Sequence, residues 1–568
     1  MKSLKDDNSI KICSFDKGNG IVIVNSNEYY AKLDEIVYDK SKFEEVRVSP
    51  DMSHPIIRNE TAIRNYLRKN VKGKISQNEF ESMYPTGSQP GKMYGLCKVH
   101  KPGLPFRPVV SMLNTAEYKL AKFLDNIIKP HIPSKHMLDS TSSFLDKLKE
   151  FVFRQNDILV SFDVVSLFTN VPLGETIDMI AEHIYNSNTK PMFEKDVFKR
   201  LMKIATSGIF MYNGKCFKQV DGVTMGSPLG PTMANFCLAY YEEKLLGDSS
   251  GNTGDPCLYL RYVDDIFCVF RSGTSHEAFL NKLNSMHNNL KFTVEVGNSS
   301  LAFLDTFITL PTEEGETFSS RVFRKATYTG LILNASSMCP QKWKFGLAQC
   351  LIHRAYAISS NWQIFNQEID FLKNVFVKNG YTECFFLSCV KKFLKDKFTK
   401  ISNVKVEDDK VETIFFIPYI GLPSVVFGRK LKELFKKYYC IDVRIVFSTF
   451  KVKNYFSLKC QTPLPLMANV VYKFQCLCDT NKAYIGKTMR HLATRVKEHE
   501  HSTSAIHDHL VSCETCKSEY SCNSFTIVDT GRNNLDITVK EALHIKDSKP
   551  QLNKQLFCQG ASFVLNIF

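Results

Sequence analysis

Apolar positions along this chain switch between short unbroken runs and helical spacing, which predicts alternating strands and helices. The run Ile21-Val22-Ile23-Val24 follows turn residues 16–20 and reads as a strand. Residues 60–84 have the spacing of one basic helix, and 115–129 and 140–153 of two more. Between them GLCKVHKPGLPFRPVV (95–110) is broken by Pro and Gly and reads on its own as a basic surface loop. Ile158 to Phe162 form an apolar strand that ends on Asp163. Helical spacing returns at 174–186 and 194–206, and residues 220–245 read as a Gly/Pro loop feeding a long apolar helix. LYLRYVDDIFCVF (258–270) is a hairpin, followed by a helix at 275–289 and two strands near 291–310. Residues 341–400 are helical and basic. The polar KVEDDKVE (405–412) is a linker, and 414–450 read strand–helix–strand. LKCQTPLPLM (458–467) opens a compact C-terminal piece of ordinary domain size.

Composition adds little to the fold and something to the partners. At 568 residues and 44% hydrophobic content, several packed domains are expected and a disordered chain is excluded. The net charge of +15 is compatible with a polyanionic partner and equally with a solubility charge. No apolar run is long enough to span a membrane, and the charged start MKSLKDDNSI lacks a signal-peptide core. Most of the 18 cysteines sit singly in apolar runs, as Cys237 and Cys268 do, and read as buried reduced thiols.

The pair Asp264–Asp265 changes the picture. An Asp pair is more often a surface turn than a site. Here apolar strands flank it on both sides, so two carboxylates stand at the tip of a buried hairpin. Like charges packed there cost energy unless a cation compensates. A phosphoryl-transfer centre needs carboxylates from more than one element to hold two metals, and Asp163 at its strand end supplies the other side.

The order Asp163, then Gly226-Ser227-Pro228, then Tyr262-Val263-Asp264-Asp265 resembles the palm motifs of reverse transcriptases. The resemblance implies that Asp163, Asp264 and Asp265 are catalytic and bind Mg2+. It implies that Lys98, Lys101 and Arg107 grip the triphosphate, a task suited to the planar guanidinium fork. Phe168 matches the aromatic that excludes a ribose 2′-hydroxyl, which implies dNTP substrates. Gly226 and Pro228 match the loop that supports template and nucleotide. Met225 stands where many reverse transcriptases have Gln. Leu301 to Asp305 resemble the primer-grip region.

Near the C-terminus, Val470-Val471-Tyr472 and Ala483-Tyr484-Ile485-Gly486 precede Arg495, His499, Glu541 and Asn553. This set resembles the GIY-YIG nuclease family, with Val470 and Val471 replacing Gly and Ile. It implies that Tyr472 helps to deprotonate water and that His499 shares the base role. Glu541 would hold one Mg2+, Arg495 would offset phosphate charge, and Tyr484 and Asn553 would orient the site. Cys476, Cys478, His509 and Cys513 make a candidate Zn2+ set, with Cys516 an alternative fourth ligand.

A reverse transcriptase joined to such a nuclease, with cysteines between its triplets, resembles the Penelope-like retroelement proteins. Asp16-Lys17-Gly18 and Phe416-Ile417-Pro418-Tyr419 fit the same family. The fold class expected is multidomain α/β and α+β. A right-hand polymerase of fingers, palm and thumb would be followed by a small connector and a compact GIY-YIG α/β domain. Its parts are an N-terminal segment 1–59, fingers 60–155, palm 156–315, helical thumb 316–404, connector 405–462 and nuclease 463–568. The short N-terminal segment suggests a truncated reading frame. The resemblance implies target-primed reverse transcription, with an RNA template, DNA primer, genomic target DNA and dNTPs as partners. A DNA target implies a nuclear location, with a cytoplasmic stage before entry. The rival readings are an inactive nucleic-acid-binding copy and a polymerase whose C-terminal module docks DNA without cutting it.

Overall fold

The computed structural model describes residues 2–553, apart from 19, 50–52, 100, 248–253, 312–316, 400–412 and 457. The linker expected at 405–412 lies outside the described residues.

Two larger sheets organise the N-terminal half, beside a small hairpin of Ile10–Ser14 and Ile21–Asn25 that contains the strand expected at 21–24. The central one has four antiparallel strands in the order Phe292–Asn298, Ile158–Val164, Asp265–Phe270, Leu258–Tyr262. Its inner strands are apolar at nearly every position because both faces are covered. Val160, Phe162, Ile266, Cys268 and Phe270 pack against helices Tyr118–Ile128, Leu173–Tyr185 and Leu229–Leu246. Leu159, Phe267 and Val269 pack the other way, against Phe144 of helix Thr141–Glu150 and the strands of a three-stranded meander. The hairpin and its flanking helices thus lie where periodicity placed them.

The second sheet was not legible in the sequence. Strands Phe43–Val46, Lys215–Gln219, Ile209–Tyr212, Gly91–Cys97 and Phe106–Ser111 form it in that order. The stretch 95–110 is therefore no simple loop. Its two halves pair antiparallel, Leu96 opposite Arg107, and only 98–105 turn between them. The hairpin 209–219 joins this sheet from within the segment expected to be palm, so the boundary at 155 is not a spatial one. The helix expected at 60–84 is two, Pro55–Asn70 and Gln77–Met83, parted at Gly73 with φ +84°.

Three helices follow, Gln341–Ile358, Trp362–Lys378 and Glu383–Thr399, with their own core around Ile352, Phe376 and Phe386. A strand–helix–strand unit comes next: Thr413–Pro418, Leu422–Tyr439 and Val443–Ser448, its two strands parallel. The C-terminal module centres on strands Ala483–Thr488, Val470–Gln475 and Phe525–Thr530, antiparallel and in that order. Val470 and Val471 are fully buried there. Among the described residues no helix is long and apolar enough to cross a membrane.

The C-terminal module is docked on the five-stranded-sheet lobe through a polar joint. Buried Glu60 accepts hydrogen bonds from Ser88 N at 2.6 Å and Gly87 N at 3.3 Å. His491 of the module, also buried, donates through Nε2 to Ser88 O at 2.6 Å. Gly87 has φ +62°, and a Cβ on it would sit 2.2 Å from Met489 O. A side chain here therefore meets both backbone strain and a clash with backbone. Gly87→Val is expected to loosen this joint. Limited proteolysis should then cleave the 458–467 segment several-fold faster than in the wild type.

Candidate active sites

Strand register assembles the first site. Asp265 pairs directly with Asp163 across the antiparallel Asp265–Phe270/Ile158–Val164 ladder, and Val164 N donates to Asp264 O at 3.3 Å. Directly opposed residues project to the same face of a sheet. The carboxylates of Asp163 and Asp265 therefore share one face, with Asp264 in the adjoining turn. Crowding shows in their acidity. Burial, then the charges of Asp264 and Asp163, push Asp265 up to about 6. Burial and Asp264 likewise raise Asp163. Lys101 opposes this at Asp163, and two further ammonium groups oppose it at both carboxylates, Lys17 from the N-terminal turn and Lys325 beyond the meander. Neither Lys17 nor Lys325 was assigned a role from sequence, because both are remote in the chain.

The turn that carries Asp264 is strained. Val263 has φ +57°, a region that a β-branched residue rarely enters. Arg261 fixes it from below. Its guanidinium is fully buried and donates to Val263 O at 3.0 Å, Asn235 Oδ1 at 2.9 Å and Glu242 Oε1 at 2.6 Å. Tyr259 donates to the same Glu242 oxygen at 2.6 Å. An uncharged residue at 261 would release the turn and strand a buried carboxylate.

A cavity of about 590 Å³ is lined by Arg107, Phe168, Met225, Gly226, Ser227 and Pro228. Gly226 has φ +117°, and a Cβ on it would meet Val110 O at 2.3 Å, so the loop lies against the Phe106–Ser111 strand only because it is glycine. Phe168 packs on the helical core while facing the cavity. Asp16, almost wholly buried, ion-pairs with Arg107 Nε at 2.9 Å. Lys98 stands among Arg107 and Lys101, and burial followed by those charges lowers its pKa. The three basic residues expected to act together do cluster. The expected primer-grip residues form a tight turn whose Asp305 accepts from Thr141 Oγ1 and, at 2.7 Å, from Arg354 Nε.

The second site lies in the C-terminal module. Tyr484, Arg495, His499, Glu541 and Asn553 line one cavity of about 330 Å³. Asn553 clamps the Ala483–Thr488 strand, donating to Ile485 O at 2.8 Å and accepting from its N at 2.9 Å. Lys487 lies 4.0 Å from the Glu541 carboxylate. Tyr472 departs from expectation. It is completely buried and its phenol is pushed up by that burial, so direct deprotonation of water by it is not supported. Arg495 Nε donates to its oxygen at 3.0 Å, and the Tyr472 hydroxyl proton then points to His499 Nε2 at 2.8 Å. His499 completes the chain through Nδ1 to Ser504 Oγ at 2.7 Å. Burial, then Arg495, push His499 down to about 3, so its ring is neutral near pH 7. A Cβ on Gly486 would sit 2.7 Å from the Tyr472 hydroxyl, which explains the glycine there.

Beside this cavity Cys476, His509, Cys513 and Cys516 place their donor atoms within 4.8 Å of one another. Cys476 and Cys516 sulfurs are 3.6 Å apart. Cys478 of the expected set stands outside the cluster, its sulfur 3.8 Å from Cys513, and Cys516 takes its place. The Cys-x-Cys spacing is the reason: adjacent same-side positions on an extended strand end would put both thiols on one edge, but the chain turns at 477–479. His509 is buried and its Nε2 has no protein partner, which a bound cation would remedy.

Comparison with known proteins gives two family matches. Residues 99–327 match the reverse transcriptase (RNA-dependent DNA polymerase) family, and residues 331–391 match the animal helix-turn-helix domain. The chain thus carries a reverse transcriptase domain containing all three aspartates. The second match covers the first two of the helices expected as a thumb and part of the third. No curated protein matches the sequence. Among solved structures, a telomerase from Candida albicans in complex with a fragment of telomeric RNA is 13% identical, with 60% of this chain and 61% of that one covered, at TM-score 0.39. An RNA-dependent RNA polymerase of a human picobirnavirus, an insertion-loop deletion mutant, is 12% identical, with 70% and 82% covered, at TM-score 0.40. This chain spans less than two thirds of the Candida albicans telomerase.

Arg261→Met should destabilise the reverse transcriptase domain by about 3–5 kcal/mol, because Glu242 is left buried without its counter-charge. Denaturant unfolding followed by intrinsic fluorescence checks it. Arg261→Met/Glu242→Leu should recover most of that loss.

Proposed function

We propose that this chain is an RNA-directed DNA polymerase of the Penelope-like kind, coupled to a GIY-YIG nuclease that makes its primer. The observation that carries the polymerase reading is the register that sets Asp163 against Asp265 within the reverse transcriptase match. In this reading the primer 3′-hydroxyl attacks the α-phosphate of a dNTP, and pyrophosphate leaves. Asp163 and Asp264, with Asp265 assisting, would hold two Mg2+ ions; the raised proton affinity of Asp163 and Asp265 fits a site built for cations. Bound there, Mg2+ neutralises charge growing on the phosphate oxygens. Arg107, steadied by Asp16, and Lys98 and Lys101 receive the triphosphate. Phe168, beside Gly226 and Pro228, closes the space a 2′-hydroxyl would occupy and so favours dNTPs. The three basic helices hold nucleic acid by its phosphates, as both a thumb and a helix-turn-helix domain would. RNA is the template and genomic DNA the target, which implies action in the nucleus.

The nuclease reading rests on the shared cavity of Tyr484, Arg495, His499, Glu541 and Asn553. Water attacks the scissile phosphorus, and the bond to the 3′-oxygen breaks, leaving the 3′-hydroxyl that a polymerase needs. The water proton passes to the solvent; the base role expected of His499 is not supported, because Tyr472 and Ser504 engage both its ring nitrogens, and it holds Tyr472 and Arg495 in place instead. Arg495 offsets charge on the phosphate. Glu541 would hold one Mg2+. The Cys/His cluster fits Zn2+, since arms of about 2.3 Å in a tetrahedron give edges of about 3.8 Å, close to the 3.6 Å between Cys476 and Cys516.

Asp264→Ala is expected to cut primer extension on an RNA template by at least about a hundredfold and to leave nicking of supercoiled DNA intact. Glu541→Gln should do the reverse. Extension no better than in Asp264→Ala would favour an inactive copy, and absent wild-type nicking a docking module.

Metal analysis tests the zinc assignment separately. Cys516→Ser should lower bound zinc well below one per chain, and Cys478→Ser should leave it near the wild-type level.

A further inference from the structure

The strand–helix–strand unit between the three helices and the C-terminal module has one sheet face that, among the described residues, no helix or strand covers. Gly428 of helix Leu422–Tyr439 packs against Ile445 and Phe447, and Phe435 of the same helix packs on Phe415 at 5.0 Å between ring centroids. Parallel register sets Phe415 beside Ile445 and Ile417 beside Phe447, so these four share the covered face. The alternate residues Ile414, Phe416, Pro418, Arg444, Val446 and Ser448 share the other. There Phe416 is 58% and Ile414 48% exposed, and Arg444 is also exposed. Parallel strand pairs are ordinarily covered on both faces, so an open one is a cost unless something lies on it.

The chemistry of that face selects the occupant. Arg444 stands across from Ile414 on the neighbouring strand, next to Phe416. Arg532, from the C-terminal module, reaches over the Phe416 ring at 5.6 Å to its centroid. A half-exposed ring with one guanidinium over it and a second arginine on the same sheet face, opposite Ile414, is suited to stack a base and hold the neighbouring phosphates. A lone aromatic face would equally suit a protein partner, but two arginines near it favour a polyanion. The unit as a whole agrees, with six basic against two acidic side chains from Thr413 to Ser448. A duplex hides its base faces, so the strand must be single.

Position decides which single strand. Arg532 lies in the turn that leads into helix Asn534–Ser548. Asn534, two residues on, lines a cleft with Lys487, Arg490 and Arg495, and Arg495 also lines the proposed nuclease cavity. A basic path thus runs from the open sheet face to the groups that would cut DNA. We propose that Phe416, Arg444 and Arg532 form a stacking platform for single-stranded DNA, the strand freed beside the nick. The choice of DNA rests on the nuclease reading above.

Fluorescence anisotropy of the full chain with a labelled single-stranded oligodeoxynucleotide tests the platform without requiring cleavage. Phe416→Ala/Arg444→Ser should raise the Kd by tenfold or more. Binding of duplex DNA and extension of a pre-annealed primer should stay within twofold of wild type. Phe416→Trp, which keeps a stacking face, should retain binding. Oligodeoxynucleotide affinity unchanged in the double variant would overturn the proposal. So would tighter binding of a single-stranded RNA that the double variant loses, or a DNA-free dimer that Phe416→Ala converts to monomer with oligonucleotide affinity intact. Failure of the nuclease reading shows elsewhere, as absent nicking in the wild type.

Discussion

Asp163 and Asp265 stand opposite one another on adjacent strands, with Asp264 in the turn beside them. Bringing like charges together at the edge of an apolar core raises their proton affinity and works against folding. Much of the surrounding lobe can be understood as what holds them there. Apolar strands covered on both faces supply the rigidity, through Phe162, Ile266 and Phe270 on one side and Phe267 on the other. Lys17 and Lys325 supply opposite charge from outside the sheet. Arg261 spends a fully buried guanidinium on the carbonyl of Val263, the residue whose backbone is forced to positive φ. Strain and crowded charge at one turn fit the proposed phosphoryl-transfer centre, since such a site must be ready for cations before they arrive.

The C-terminal module solves a different problem. Its Tyr472, Arg495 and His499 form a buried hydrogen-bonded chain in which each group fixes the protonation of the next. Arginine can only donate, so the tyrosine oxygen accepts and the tyrosine proton goes to the imidazole. The module does not hang free. Glu60, Ser88 and His491 tie it to the lobe that carries Arg107. Two chemistries proposed to act in sequence on one DNA end are therefore held in a fixed relation by a polar joint.

Residue spacing in the chain anticipated the carboxylate-tipped hairpin better than it anticipated the lobe around it. Asp163, Asp264 and Asp265 were legible because an apolar strand cannot carry carboxylates at its tip without a reason. The five-stranded sheet was not. Its strands are short, come from three separate stretches and include Pro108, and no local period links Phe43–Val46 with Lys215–Gln219. The ligand set of the Cys/His cluster was legible as a group but not as a choice, because Cys478 and Cys516 differ only in how the chain turns near 477. Burial of Tyr472 was not legible, because burial is a property of the fold.

The sequence by itself determined the alternation of strands and helices, the hairpin that ends on Asp264, and the order of chemically capable residues along two segments. These follow from local periodicity and from residue types that cost energy unless used. Tertiary structure decided which of them meet. Lys17 and Lys325 reach Asp163 from far along the chain, Asp16 reaches Arg107, and His491 reaches Ser88 across roughly four hundred residues. It also decided what is left uncovered, as the open face around Phe416 shows. Electrostatics and burial act through space, and spacing in the chain carries no record of such distances until the chain has folded.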